Sequence, residues 1–263
     1  GVDAAGGDTT WLPIPAPEEG YYLGQVGWAC NSEELVVEKL SRFRDEREFL
    51  LVHVDTGQVS CIFHESDPAW VISSEPHEEK GLHWIQKGRA FVVLSEMDGW
   101  RHAYVCSRDG TEQKLLTPGD YDVIERVKID EVNGWLYFNA SPDNATQKYL
   151  YRVPLDASGS SAERVTPEDQ PGTHDYDFSA DGRWAFHTYS TFSAPPVTDL
   201  VEFPDHRVVR VLEDNEALSR NFAALPKTST EFLQLEIDGG IQMDAWLMKP
   251  PEFDSTKKYP VLV

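Results

Sequence analysis

The chain carries an internal repeat of about fifty residues, and this repeat restricts its fold more than any other feature. Each copy ends in two apolar, strand-like runs joined by a polar turn. The four turns contain Asp55, Asp109, Asp156 and Asp205 at a nearly constant spacing. Two further strand-like runs precede each pair. Four short strands in a unit of this length are typical of one blade of a β-propeller.

The repeats divide naturally into inner and outer strand pairs. The predicted outer hairpins cover residues 49–65, 102–118, 149–167 and 199–213. The predicted inner pairs are 22–30 with 35–40, 82–85 with 90–95, 124–129 with 135–139, and 176–178 with 184–189. Asn133-Gly134 and Asp181-Gly182 lie between inner strands, where Gly supplies the positive φ of a tight hairpin. The sequence therefore predicts an all-β partial β-propeller of about four four-stranded antiparallel blades.

The pattern changes after the fourth repeat. Residues 214–218 predict a short helix capped by Asp214 or Asn215. Residues 231–237 and 243–249 predict a hairpin around an Asp-Gly-Gly turn.

The last run, 259–263, contains Pro260 followed by apolar residues and predicts the beginning of a strand buried in an α/β sheet. We therefore divide the chain into a propeller portion, 1–226, and the start of an α/β domain, 227–263.

Acidic side chains outnumber basic ones by 45 to 23, which gives a formal charge of −22 at pH 7. Such a charge repels the phosphates of nucleic acids and anionic membrane surfaces. No apolar stretch approaches the ~20 residues needed to span a bilayer. We therefore expect no nucleic acid partner and no membrane segment. Because the acids are scattered, a solvated acidic surface is favoured, and a field that attracts cationic peptides stays open.

The three cysteines and the N-terminus say little about the cellular compartment. Cys30, Cys61 and Cys106 lie in strand-like runs without C-x-x-C spacing, so we expect buried thiols rather than a metal site. A single disulfide stays open. No signal-peptide pattern follows Gly1, and periplasmic, extracellular and cytoplasmic locations all stay open.

Eight histidines raise the question of metal binding or proton transfer, but no H-x-H or H-E-x-x-H spacing occurs. We expect structural or exposed histidines, no metal and no cofactor. The densest polar cluster, 174–177, could mimic a metal-binding loop, but a turn before an inner strand of the fourth blade is favoured. Trp100-Arg101-His102 could line a cavity, but a packing role is favoured.

Four stretches of the chain resemble the dipeptidyl peptidase IV group of the prolyl oligopeptidase family of serine peptidases. They are Gly99-Trp100-Arg101-His102-Ala103-Tyr104, residues 129–138, residues 211–218, and Lys257-Lys258-Tyr259-Pro260. The likeness runs through the whole chain in order and is most specific from Trp70 onward.

The resemblance implies an eight-bladed propeller fused to an α/β-hydrolase domain that releases dipeptides from free peptide N-termini. Peptides with free N-termini and the protein's own C-terminal hydrolase domain are the partners it implies, and it leaves a homodimer of the intact protein open. The family's catalytic Ser, Asp and His fall after the point that matches Val263. No G-x-S-x-G occurs in the chain, so we expect no catalytic residue and no activity in the chain alone.

The resemblance also implies where substrate would be met. A loop that borders the family's active-site cavity matches residues 70–77, in a shorter form, and makes Trp70, Glu75 and His77 the candidates to face substrate. The competing class is a non-catalytic β-propeller binding module. The strand-like segment after Ser229 favours the peptidase, because a pure propeller is expected to close its ring there instead.

Overall fold

The strand-like runs form antiparallel sheets in a computed structural model that describes residues 1–2, 5–72, 81–159, 161–225 and 228–262. Within these ranges there are four four-stranded sheets and one two-stranded sheet. Each four-stranded sheet keeps its strands in chain order, so each is a simple meander. The predicted all-β fold of four blade-like sheets is confirmed.

The sheets follow one another along the chain. The first contains β1 Tyr21–Trp28, β2 Glu34–Ser41, β3 Glu46–His53 and β4 Val59–Ser66. The second contains β5 Leu82–Ile85, β6 Ala90–Ser95, β7 His102–Ser107 and β8 Gln113–Leu115. The third contains β9 Val123–Asp130, β10 Trp135–Ala140, β11 Tyr149–Pro154 and β12 Glu163–Arg164. The fourth contains β13 Thr173–Phe178, β14 Trp184–Thr191, β15 Ala194–Glu202 and β16 Arg207–Glu213.

Helix α1, Glu216–Ala223, and the hairpin of β17 Ser229–Ile237 and β18 Ile241–Lys249 come last. The chain divides into two compact units, the first formed by 1–142 with 150–166 and the second by 143–149 with 167–263. The first unit contains the first three sheets, apart from the first residue of β11. The second contains the fourth sheet, α1 and the terminal hairpin.

The core of the first unit is built from aromatic and branched side chains, which are buried in consecutive runs on β3, β6 and β10. Phe49 of β3 and Phe63 of β4 pack at 5.9 Å between ring centroids, in one buried cluster with Phe91 of β6. Each fully buried Phe contributes about 1.5–3 kcal/mol relative to exposure. In the third sheet the buried ring of Phe138 stacks on Tyr151 at 6.0 Å.

The recurring Asp of the repeat has a local structural explanation in the second sheet. Asp109 Oδ1 accepts hydrogen bonds from the Ser107 hydroxyl at 2.6 Å and from the Thr111 hydroxyl at 2.8 Å. These bonds lower the pKa of Asp109 to about 2. The amide of Thr111 also donates to Asp109 at 3.1 Å, and in the third sheet the amide of Ser158 donates to Asp156 at 2.9 Å. In these two sheets the recurring Asp therefore closes a turn onto its own backbone.

Two predictions about the chain end and the helix need correction. Residues 259–262 form no strand, and Val261 and Leu262 are 80% and 99% exposed. Strand propensity of such a run is expressed only against a paired neighbour. Helix α1 is longer than expected. The side chain of Asn215 bonds the Pro196 carbonyl instead of capping, while Asp214 accepts from the first helical amide.

The expectation of three buried thiols is wrong for two of them. Cys106 is buried, but Cys30 and Cys61 are exposed, and all three are free thiols. Cys30 follows the end of β1 with a left-handed φ of 57°, and Cys61 lies on β4, the outer strand of its sheet. Within the described ranges, no helix is long and apolar enough to cross a membrane.

Candidate functional site

The segment after β4 carries Trp70, the one sequence-predicted site residue that the structure describes. The Asp67 carboxylate accepts from the amides of Ala69 at 2.7 Å and Trp70 at 3.2 Å, which closes a tight turn. The next amide, that of Val71, donates to the Arg44 carbonyl at 2.8 Å. Trp70 is therefore held against the β2–β3 turn while its ring stays 52% exposed. Glu75 and His77 lie outside the described residues.

Two arginines of the β2–β3 turn approach exposed aromatic rings. The Arg44 guanidinium carbon lies 5.3 Å from the ring centre of Trp70 and 5.7 Å from that of Tyr22. The guanidinium carbon of Arg42 lies 5.4 Å from the Tyr22 ring, and Arg42 also donates to the Tyr22 hydroxyl. We call Tyr22, Arg42, Arg44 and Trp70 the arginine–aromatic cluster.

The backbone that presents this cluster is strained and well supported. Arg44 has a left-handed φ of 57°, a conformation that costs roughly 1 kcal/mol or more for a residue with a side chain. The turn is fixed by the Ser41 hydroxyl, which donates to the Asp45 carboxylate at 2.5 Å and accepts from the Asp45 amide at 3.0 Å. The Asp67 amide adds a bond to the Asp45 carbonyl at 2.9 Å.

A buried ionic network lies on β2, β3 and β4 of the same sheet. Arg47, on β3, is only 3% exposed and forms an ion pair with Glu65 of β4 at 2.6 Å and a longer one with Glu38 of β2 at 3.9 Å. Its guanidinium also donates to the Leu94 carbonyl of the second sheet at 2.6 Å. The Ser95 hydroxyl, on the second sheet, donates to Glu65. Arg47 therefore ties the first two sheets together, and we call this the Arg47 network.

The Arg47 network also shapes the innermost strand of the first sheet. Glu38 accepts from the Gln25 amide at 3.2 Å, at the irregularity between Leu23 and Val26 in β1. A side chain on Gly24 would lie 2.3 Å from the Glu38 carboxylate, so a larger residue there would have to displace this buried side chain. Burial raises the pKa of Glu65, and the positive charge of Arg47 opposes that rise.

Sequence reasoning missed Arg42, Arg44 and the Arg47 network. Two signals were available: the Arg-x-Arg turn 42–44 in a strongly acidic chain, and charged residues at 38 and 47 inside apolar strand runs. A charge inside a strand that is otherwise buried on both faces needs a partner within the fold.

The structure also describes His102 and the polar cluster 174–177, which the sequence singled out. His102 is buried, with its ring nitrogens 3.1 Å from the Asp98 carboxylate and 3.0 Å from the Tyr121 carbonyl, so the packing interpretation is confirmed for it. The cluster 174–177 lies inside β13, so the predicted turn is wrong for His174 and Asp175, while the predicted inner strand at 176–178 is confirmed. Its alternating residues pair with β14 instead of reversing the chain. Among the described residues, no group of three or more His, Cys, Asp or Glu side chains could hold a metal.

The meandering four-stranded sheets show the class of protein: the chain is part of a β-propeller. Residues 2–196 match the family described as dipeptidyl peptidase IV (DPP IV) N-terminal region. The chain therefore belongs to that family, and the resemblance seen in the sequence is confirmed.

Individual relatives agree with the family match. Dipeptidyl peptidase 4 of Trichophyton rubrum and that of Arthroderma otae are each 23% identical over 266 residues, covering 99% of this chain and 34% of the relative. The crystal structure of Porphyromonas gingivalis dipeptidyl peptidase 4 matches 96% of this chain with a TM-score of 0.82 at 24% identity, and 34% of that structure is covered. The chain thus spans about a third of the length of these proteins.

Proposed function

We propose that the chain is the propeller portion of a dipeptidyl peptidase IV-like serine peptidase that releases dipeptides from peptide N-termini. The family match over residues 2–196 carries this proposal, supported by relatives named dipeptidyl peptidase 4 along 99% of the chain. The proposed division follows the sequence: 1–226 belongs to the propeller, and 227–263 begins the α/β-hydrolase domain.

In this proposal the propeller admits and positions peptide, and the hydrolase domain supplies the chemistry. A serine attacks the scissile carbonyl, a histidine carries the proton and an aspartate orients the histidine. None of these groups is assigned within the chain, which lacks a G-x-S-x-G sequence. The charge of −22 would favour the approach of peptides with cationic free N-termini.

The arginine–aromatic cluster is the part of the chain that we propose to contact substrate, with Trp70, Glu75 and His77 as the cavity-facing residues of its loop. Exposed rings offer stacking surface to peptide side chains. Guanidinium groups donate several hydrogen bonds in a plane, which suits peptide carbonyl and carboxylate oxygens. The rigid turn at Asp67 and the strained backbone of Arg44 would keep these groups in place before substrate arrives.

The test uses the full-length protein encoded by the parent gene. We expect it to cleave a Gly-Pro or Ala-Pro chromogenic substrate, and replacement of the serine of its G-x-S-x-G by alanine should abolish cleavage. Residues 1–263 alone should show no hydrolysis. A folded full-length protein that lacks activity, or a parent sequence without G-x-S-x-G, would favour the non-catalytic binding module.

A further inference from the structure

Three histidines of the second unit are buried next to one another. His174 on β13 and His187 on β14 are 0% and 1% exposed, and their parallel rings lie 5.2 Å apart between centroids. His206, in the turn between β15 and β16, meets the His187 ring edge-on at 5.0 Å. We call these three residues the imidazole stack. No step of the proposed function uses them.

Aromatic rings enclose the imidazole stack on its remaining sides. Tyr189 lies 4.6 Å from His174 between ring centroids, and Tyr176 lies 4.7 Å from His187. Tyr149 contacts His174 at 5.7 Å, and Phe203 contacts His206 at 6.0 Å. The surroundings are therefore stacked and largely apolar, which disfavours a charge on any of the rings.

The hydrogen bonds of the imidazole stack can all be formed with uncharged rings. His174 Nε2 lies 3.0 Å from the Gln170 carbonyl, which only accepts, so this nitrogen carries the hydrogen. In the neutral ring, His174 Nδ1 is then an acceptor, and it lies 2.9 Å from His187 Nε2, which must donate. His187 Nδ1 is left without a hydrogen and without a hydrogen-bond partner.

An additional proton on His187 would have a single nearby counter-charge and no hydrogen bond to it. The nearest carboxylate on the facing strand β15, that of Asp199, lies 3.9 Å from His187 Nδ1, beyond hydrogen-bonding distance. Burial raises the pKa of Asp199, so this carboxyl group itself takes up a proton more readily than usual. Asp175 and Asp177 alternate with the inward residues of β13 and are exposed on its other side.

The third histidine, His206, is also poorly placed to hold an additional proton. His206 Nε2 is bonded to the Tyr176 hydroxyl at 2.8 Å, and its Nδ1 is buried without a partner. Burial lowers the pKa of His206 below its ordinary value. For His187, burial and then the neighbouring histidines lower the pKa to about 3.

We propose that the imidazole stack is an acid-sensitive lock: it keeps the fourth sheet folded while its histidines are neutral, and mild acidification opens this sheet while the first sheet stays closed. In an opened sheet the histidines reach water and accept protons near their ordinary pKa of 6.5. Because the folded-state pKa values of His187 and His206 are lowered, the stabilisation is complete above pH 6.5. It is lost as the pH falls towards 3.

Hydrogen exchange of the full-length protein at pH 7 and pH 5, corrected for intrinsic exchange rates, tests the lock independently of any peptidase activity. We expect the opening equilibrium of residues 173–213 to rise roughly 25-fold from His187 alone, from its pKa of about 3 against 6.5. His206 should add to this rise. Residues 46–66 of the first sheet should show no comparable increase. A uniform increase over both segments would overturn the proposal.

The variant His187→Phe keeps a flat ring in the stack and removes its titration. Between pH 7 and pH 5 its opening equilibrium should lose the roughly 25-fold rise that His187 causes in the unsubstituted protein. This difference does not depend on the stability of the variant at pH 7. The control is His64→Gln, because His64 is exposed on β4. An unchanged pH dependence in His187→Phe would also overturn the proposal. If this variant fails to fold, the two-segment comparison in the unsubstituted protein decides alone.

Discussion

The first and second units bury polar groups in opposite ways. The Arg47 network places a guanidinium between two buried carboxylates, so it is ionic and bonds across two sheets. The imidazole stack of the second unit lies among aromatic rings, where burial lowers the pKa values of His187 and His206, and it leaves two ring nitrogens without partners. One arrangement depends on charge being present, and the other depends on charge being absent. The same change of pH should therefore affect the two units differently.

The Arg47 network and the imidazole stack also differ in the surface that each supports. The Arg47 network lies on the strands that flank the β2–β3 turn, and that turn carries Arg42 and Arg44 of the candidate site. A rigid buried network is suited to fix a surface that must be in place before a ligand arrives. The imidazole stack supports no surface that we assign to substrate. Opening of the fourth sheet should therefore leave the candidate site in place.

The largest effect is expected from Arg47→Met, which removes the cation of the Arg47 network. The substitution leaves the buried Glu38 and Glu65 carboxylates without their cation, and removing one partner of a buried ion pair costs about 3–5 kcal/mol. Urea unfolding of the full-length protein at pH 7 measures this loss. The exposed Arg210 provides the control, since Arg210→Gln should change the unfolding free energy by about 0.5 kcal/mol or less. A loss below about 1 kcal/mol for Arg47→Met would show that water reaches the carboxylates.

Sequence reasoning recovered the parts of the fold that depend on local patterns. Alternating apolar runs and Asp or Asn-Gly turns predicted the strands, because turn chemistry and strand period act over a few residues. The terminal run 259–263 was over-interpreted, since a strand also needs a neighbour. Of the candidate site, the sequence indicated Trp70, whose substrate role stays a prediction. The Arg44–Trp70 contact and the Arg47 network join residues from different strands and sheets. The repeat pattern does not predict which residues of different strands meet.

A smaller effect of opposite sign is expected from Asp199→Asn, which removes the carboxylate beside the imidazole stack. Burial raises the folded-state pKa of Asp199, so its contribution favours folding below about pH 3.8 and is lost as the pH rises through the folded pKa. Removing the charge should raise the Tm at pH 7 by about 2 °C and leave it nearly unchanged at pH 4, with the gain discounted for partial solvent access. Calorimetry of the full-length protein at both pH values measures it. A lower Tm at pH 7 would mean that the Asp199 carboxylate stabilises His187 as an ion pair.

The smallest effect on stability is expected from Trp70→Ala, which separates the buried network of the first unit from the surface above it. Trp70 is half exposed and contacts Arg44 through its ring, so its loss should change the unfolding free energy by about 0.5–1 kcal/mol. In the proposed peptidase, the same substitution should raise KM for peptides about 3- to 10-fold with kcat nearly unchanged, because stacking on an exposed ring contributes about 1 kcal/mol to binding. Trp100→Ala is the matched control, since Trp100 is also exposed and lies in another sheet connection. Equal changes of KM in the two variants would contradict a substrate role for the arginine–aromatic cluster and would leave the Arg47 network as a purely structural feature of the first unit.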